Sequence, residues 1–269
     1  MDLRDRISML IRLDKLLADA GCGTRSQVRG YIKKKCVTVD GQPAQGPEQK
    51  VDITSVSVEV NGQPVFYETE SYYILNKPSG ILSASRDGRE KTVVDLIPEP
   101  KRRDLFPVGR LDRDTVGLLL ITNDGRLSNR LLAPGKHVEK TYRAIVAGEL
   151  PENLTEIFAE GIDIGDDALT ASSGVNVLEA VEREEYLTCC TENGISAPAE
   201  VEEGEALHRV EVVLTEGRYH EIRRMFEALG CRVVFLERTA MAGLTLPADL
   251  ARGQARKITK EELIKNLGI

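Results

Sequence analysis

Residues 109–125 read G-R-L-D-R-D-T-V-G-L-L-L-I-T-N-D-G, and the rest of the chain is organised around them. An acid-rich turn, Asp112-Arg113-Asp114-Thr115, runs directly into the apolar run 118–121, which stops at Asn123-Asp124-Gly125. A short apolar run bounded by glycine and an Asn-Asp-Gly turn predicts a buried strand. Asp112 then sits where a loop enters a rigid core element, from which a side chain can reach a substrate while the scaffold holds it still. Asp, Thr and Gly are also ordinary turn formers, and Asp-x-x-Thr can bond its own backbone. This stretch alone does not separate a catalytic loop from a structural one.

Around it lies a chain of 269 residues, 41% apolar, enough for one large or two ordinary domains with a core that needs no staples. No window approaches the about 18 consecutive apolar residues of a membrane span. The opening Met1-Asp2-Leu3-Arg4-Asp5-Arg6 is too charged to begin a secretory signal. A soluble, cytoplasmic protein without a membrane partner is expected. The five cysteines (Cys22, Cys36, Cys189, Cys190, Cys231) are scattered without a C-x-x-C, and only three histidines accompany them, so reduced thiols and no metal site are expected. The net charge of −7 argues mildly against a nucleic-acid partner, but it is unevenly spread. Residues 1–60 hold ten Lys and Arg against eight Asp and Glu, a net +2 that leaves −9 for the remainder. Such asymmetry suggests a division of labour.

The basic part opens with Leu13, Leu16, Leu17 and Ala20 at helical spacing, closed by Gly21. A second helix follows, capped by Thr24 or Ser26, with Val28, Tyr31 and Ile32 as its buried stripe. Arg25, Arg29 and Lys33 recur every fourth residue on it, a single-faced row of cations with no acids four residues on to pair with. Then two look-alike segments, V-T-V-D-G-Q-P-A at 37–44 and V-E-V-N-G-Q-P-V at 58–65, alternate apolar and polar residues and turn at Asp-Gly and Asn-Gly, a strong hairpin signal. These residues together resemble the S4 RNA-binding domain, whose R-L-D-K-x-L opening, Ser/Arg-rich second helix and V-x-V-[DN]-G are matched in order. The resemblance implies RNA backbone binding by Arg12, Arg25, Ser26, Arg29 and Lys33, consistent with phosphate contacts by Arg and Lys.

Residues 11–60 are accordingly expected to form the S4-like domain, 61–70 a linker, and 71–262 a second domain. That second part starts with a strand at 72–75 and the turn Asn76-Lys77-Pro78-Ser79-Gly80, followed by a short helix at 92–97 stopped by Pro98. After the opening stretch come a helix at 126–132, a strand at 140–146 and a helix at 152–160. Residues 189–205, rich in glutamate, read as an exposed loop insertion. A strand at 208–214 leads to a helix at 220–229 striped by Ile222, Met225, Phe226 and Leu229. On its wheel Arg223 flanks the stripe whereas Arg224 faces solvent, and His220 is expected to cap or pack at the start.

Three segments carry chemistry: G-R-L-D at 109–112, K-T-Y at 140–142 and G-R-Y-H-E-I-R at 217–223. Ordered behind an S4-like module they resemble the bacterial ribosomal RNA pseudouridine synthases, closest to the small-subunit (16S) enzymes, over nearly the whole chain. The resemblance implies an α+β fold with a mainly antiparallel mixed sheet and flanking helices. It implies Asp112 as catalytic aspartate, Tyr142 held against the target base, and Arg223 paired with Asp112. Arg110 would help hold the RNA open around a flipped nucleotide, and the Asn76-Lys77-Pro78 turn would be mainly structural, as would Asp114 and Thr115. Isomerising uridine to pseudouridine needs no redox or energy input, so no cofactor is expected. The partner is ribosomal RNA, free or in an assembly particle, and the chain is expected to act as a monomer. Alternatives are the same reaction on large-subunit (23S) RNA and a non-catalytic RNA-binding assembly factor. A two-metal nuclease built on Asp112 and Asp114 lacks further carboxylates at suitable spacing.

Overall fold

A computed structural model describes residues 9–53, 55–67, 70–98, 104–195 and 198–268. The charged opening at 1–6 lies outside them. Internal contacts divide the chain into two units, Met1–Ser71 with Pro98–Leu105, and Tyr72–Ile97 with Phe106–Ile269.

The first unit runs β1 (Leu10–Arg12), α1 (Leu13–Asp19), α2 (Arg25–Lys33), β2 (Val37–Val39), β3 (Gln42–Pro43), β4 (Lys50–Asp52), β5 (Val58–Val60) and β6 (Gln63–Pro64). Its two hairpins are joined by β2–β5 pairing into a sheet of order β3-β2-β5-β6. Both turns place their central pair at positive φ, Asp40 at 51° with Gly41 at 76° and Asn61 at 52° with Gly62 at 75°. That double left-handed turn matches the twist of the flanking strands. The strand Gln63–Pro64 pairs with β5, so the sheet extends into the span expected to be linker. Thr24, not Ser26, caps α2: its hydroxyl accepts from the Gln27 amide at 3.1 Å and the Gln27 side chain accepts from the Thr24 amide at 2.8 Å. Leu13, Leu16, Leu17, Val28 and Ile32 pack on Val37, Val39, Val51 and Val58 to form the core.

The second unit continues with β7 (Tyr72–Lys77), β8 (Phe106–Pro107), β9 (Val116–Thr122), α3 (Gly125–Leu132), β10 (Lys140–Ala147), α4 (Leu154–Glu160), β11 (Gly174–Ala180), α5 (Arg183–Glu192), β12 (Leu207–Leu214), α6 (Glu221–Ala228), β13 (Arg232–Met241), β14 (Leu244–Thr245), β15 (Ala255–Ile258) and α7 (Lys260–Leu267). Its mixed sheet has the order β11-β12-β10-β13-β9-β7-β15, with β14 on β13 and β8 on β9. The pairing of β9 with β13 is parallel, and the other strand pairs of this sheet are antiparallel. The expected strand in the opening stretch is β9, buried along its whole length. Truncating one of its leucines to alanine would cost about 2–5 kcal/mol. Gly117 is fixed by close approach: at φ +100° a Cβ there would lie 2.3 Å from the Arg238 carbonyl oxygen on β13. One side of the sheet is covered by Leu127 and Leu131 of α3 and Leu263 and Leu267 of α7, which join Leu118 and Leu120.

Two segments depart from expectation. The stretch at 92–97 forms a 3₁₀ turn over Val93–Leu96, tightened by the Asp95 carboxylate accepting from the Thr92 amide at 2.9 Å. The acidic stretch is not simply an exposed loop. Its first part belongs to α5, whose Tyr186 and Cys190 pack with Val201 on Val116, Ile145 and Phe235. The glutamates face outward while a short apolar stripe covers the sheet.

Candidate active site

The loop between β8 and β9 carries Asp112, and its backbone is clamped at several points. The Lys77 ammonium at the end of β7 is fully buried and donates to the carbonyl oxygens of Pro78 at 3.1 Å, Arg113 at 3.0 Å and Thr115 at 2.8 Å. Burial pushes its pKa down to about 8 from 10.5, while the nearby Asp114 and Asp112 pull in the other direction. The Ser83 hydroxyl donates to the Leu111 carbonyl at 2.7 Å and accepts from the Leu111 amide at 3.1 Å. The Thr115 amide closes the turn on the Asp112 carbonyl at 3.2 Å. The Asn76-Lys77-Pro78 turn is thus structural in a specific sense, because it holds the loop that presents Asp112. Ser83 had no signal in the sequence.

Asp112 opens into a cleft with about 470 Å³ of empty space, whose lining includes Arg110, Tyr142, His220 and Arg223. The residues expected to act on the substrate therefore share one site. Tyr142 on β10 is buried, between Val212 of β12 and Arg238 of β13 in the sheet register. Arg110 is exposed.

The charge pairing differs from expectation. Arg223 donates to the Asp114 carboxylate at 2.9 Å and to the Val233 carbonyl at 2.9 Å, so its acidic partner is Asp114 and not Asp112. Asp112 instead faces His220, with its Oδ1 3.5 Å from Nε2. The spacing explains both contacts: His220 and Arg223 are three residues apart at the start of α6 and present one face to two acids of the same loop. His220 makes no side-chain cap for the helix and sits at φ 50°, ψ 34°, a left-handed conformation uncommon outside glycine. Asp114 has more than a turn-shaping role, since it is the anchor of Arg223.

Arg224 also departs from expectation: it is tied down rather than solvated. It donates to Asp166 at 2.5 Å and to the carbonyls of Ile164 and Tyr219, the last at 3.2 Å. Arg218 grips the same neighbourhood through the carbonyls of Ala168 at 2.7 Å and Leu169 at 2.6 Å. Behind this turn Glu221 is buried and accepts from the Arg218 amide at 2.9 Å. Burial first, then the neighbouring Glu216 carboxylate, pushes its pKa up to about 7. Glu216, although burial pushes its own carboxyl up, is held below its usual value by the Ala171 amide and by Arg218. The two carboxyls thus favour sharing one proton.

In the first unit the cation row is not free of acids. Asp14 on α1, 1% exposed, accepts from Arg12 at 3.0 and 2.9 Å and from Arg29 at 3.3 and 3.1 Å. The Arg12 hydrogen bond, followed by that of Arg29, holds its carboxyl below the usual range against the effect of burial. Arg25, Ser26 and Lys33 are exposed on α2. The acid that Arg29 lacked along its own helix comes from the helix beside it. Among the described residues, no three His, Cys, Asp or Glu side chains converge in a metal-holding arrangement, and no helix is long and apolar enough to cross a membrane.

Comparison with known proteins gives a consistent result. The RNA pseudouridylate synthase family is matched over residues 71–228 and the S4 domain over residues 11–56. The uncharacterized RNA pseudouridine synthase YtzG of Bacillus subtilis (strain 168) is 39% identical over 259 residues, spanning 94% of this chain and 97% of the relative. Ribosomal small subunit pseudouridine synthase A of Escherichia coli (strain K12) is 33% identical over 255 residues, spanning 94% and 98%. A solved pseudouridylate synthase structure superposes with a TM-score of 0.60 at 29% identity, over 95% of this chain and 99% of that one.

Proposed function

The chain belongs to the RNA pseudouridylate synthase family, and from that premise we propose that it converts a specific uridine of small-subunit ribosomal RNA to pseudouridine, with Asp112 as the reacting carboxylate. The observation that carries this reading is the clamped Asp112 loop opening into the cleft that Tyr142, Arg110 and Arg223 also line. The small-subunit target is supported by the 33% identity to an enzyme named for that substrate.

The reaction breaks the N1–C1′ bond, turns the uracil and rejoins it through C5. The C5 proton is lost and N1 gains one, so atoms balance without a cofactor. The target base must leave its stack to reach Asp112. Arg110 at the exposed edge of the cleft is suited to holding the RNA around the vacated position. Tyr142 offers a flat ring to the uracil and a hydroxyl that can take the C5 proton. Asp112 acts either by attack at C1′ or by removing a ribose proton, and both routes need an ionised carboxylate close to the sugar. Arg223, through Asp114, and His220, at Asp112 itself, position the loop and its charge. The S4-like module, whose sheet runs on through Gln63–Pro64, precedes the catalytic part at 71–262 and holds the RNA backbone through Arg12, Arg25, Ser26, Arg29 and Lys33. The chain acts as a monomer on ribosomal RNA in the cytoplasm.

The test is Asp112→Asn, assayed on ribosomal RNA from a strain lacking the gene. Turnover should fall by at least about 10³-fold while RNA binding persists, and pseudouridine formation by the variant at the normal rate would sink the assignment. Carbodiimide mapping of the product in each ribosomal subunit should locate the modification in the small-subunit RNA, and a product confined to large-subunit RNA would overturn that part.

A further inference from the structure

Tyr219 is a highly exposed ring next to the candidate active site, at 76% exposure, yet it is not loose. Its ring stacks on that of His220 with centroids 3.9 Å apart and planes 15° from parallel. His220 in turn reaches Asp112 at 3.5 Å. The backbone beneath is fastened on both sides, by Arg224 to the Tyr219 carbonyl at 3.2 Å and by the Arg218 amide to Glu221 at 2.9 Å. His220 is held in the left-handed region, a conformation that carries a strain cost outside glycine, and the stack that this conformation supports lies outside the protein core. A tyrosine that filled the core would be buried; one face of this ring is covered by His220 and the rest is open to solvent.

We propose that the Tyr219–His220 stack is a platform for a nucleobase of the RNA, the one adjoining the uridine that enters the cleft. This rests on the reading of Asp112 as the reacting centre. When a nucleotide leaves its stack, the neighbouring base loses a stacking partner, and that loss is a main part of the energy of flipping. A flat aromatic ring held one layer from His220, which itself contacts Asp112, supplies a replacement where the neighbour must lie. Base–aromatic stacking of this kind contributes about 1–3 kcal/mol per base and tolerates any base. Tyr219 thereby acts on binding of the opened RNA and not on bond breaking.

Three measurements test this. Tyr219→Ala should raise KM for ribosomal RNA about 5- to 150-fold, the equivalent of that stacking energy, with the loss falling on KM rather than kcat; Tyr219→Phe should restore KM, because the ring and not the hydroxyl is used. The chain contains no tryptophan, so Tyr219→Trp provides a single emission reporter. Its fluorescence should be quenched on titration with ribosomal RNA and unaffected by heparin, a polyanion without bases. An unchanged KM in Tyr219→Ala, failure of Tyr219→Phe to restore it, or equal quenching by heparin would each overturn the proposal. Repeating the titration with Tyr219→Trp combined with Asp112→Asn separates the two readings. Quenching there reports the platform without turnover, whereas normal turnover by Asp112→Asn alone removes the catalytic assignment.

Discussion

Two charge clusters, one in each unit, are built in opposite ways. In the first, the acid Asp14 is buried and the guanidinium groups of Arg12 and Arg29 that bind it are half exposed, at 44% and 53%. In the second, the cation Lys77 is fully buried and the acids near it, Asp112 and Asp114, are exposed at 30% and 64%. In each of these two clusters one ion is hidden and its opposites are displayed. A buried charge is tolerated only where it is paired or hydrogen-bonded, so the hidden residue fixes where the displayed ones stand. The displayed sign suits the role proposed for each unit, with cations meeting a phosphate backbone and carboxylates serving chemistry at a sugar.

Removing the hidden cation should have the largest effect. Lys77→Met leaves the carbonyls of Pro78, Arg113 and Thr115 without their donor, offset in part by relief of the buried charge, for a net loss of about 2–3 kcal/mol. Turnover should drop about 10- to 100-fold as the Asp112 loop loosens, measured as tritium released from RNA labelled at uridine C5. Full activity with a lowered melting temperature would show that Ser83 and the turn hold the loop unaided, and the parallel between the units would break.

Removing the hidden acid should act more mildly and on binding. Asp14→Asn takes away one negative charge but also the bonds that aim Arg12 and Arg29. RNA affinity at physiological salt should weaken about 3- to 10-fold for lost preorganisation, while the dependence of log K on log salt steepens by about 0.7–0.9. Tighter binding at every salt concentration would mean that Asp14 only neutralises its neighbours.

The smallest effect concerns Glu221, a buried acid with another acid beside it. Its folded pKa, about 7, lies above the unfolded value of 4.5. Its contribution to stability is therefore present below about pH 4.5 and is lost as pH rises through 7. Glu216, shifted the other way, offsets part of this. Glu221→Gln keeps an acceptor for the Arg218 amide and supplies a permanent donor to Glu216. Its melting temperature relative to the unchanged protein should rise by about 2–4 °C between pH 5 and 8, the equivalent of about 1 kcal/mol; a difference independent of pH would show that the two carboxyls do not share a proton.

What the sequence made legible follows the strength of local signals. β9 was visible as an uninterrupted apolar run, and the two hairpins through Asp40-Gly41 and Asn61-Gly62, because left-handed turns demand those residue types. β11 was not, since only Val175 of Gly174–Ala180 is buried and no alternation marks the strand. α5 was obscured because its buried residues are only Tyr186 and Cys190 among glutamates and threonines. In the site, the motifs that carry the family resemblance named Asp112, Tyr142 and Arg223, which line one cleft, but paired Arg223 with the wrong acid. Whether Arg223 meets Asp112 or Asp114 depends on how Lys77 and Ser83 bend the loop, through contacts between segments 36 and 28 residues apart in sequence. Arg224 looked solvated because Asp166, its partner, lies 58 residues upstream.

The close approach of Gly117 to Arg238 also sets a timetable. β9 gains its β7 partner from chain already made, but its parallel partner, paired at Arg238↔Gly117, emerges from the ribosome about 120 residues later. At about 5–20 residues per second this is a delay of roughly 6–24 s. Through that interval the segment bearing Asp112 has only β7 and β8 as strand neighbours and no α6 to supply His220 or Arg223. A nascent chain therefore cannot assemble this cleft until α6 and β13 have been made, although the RNA-binding module precedes both in the chain.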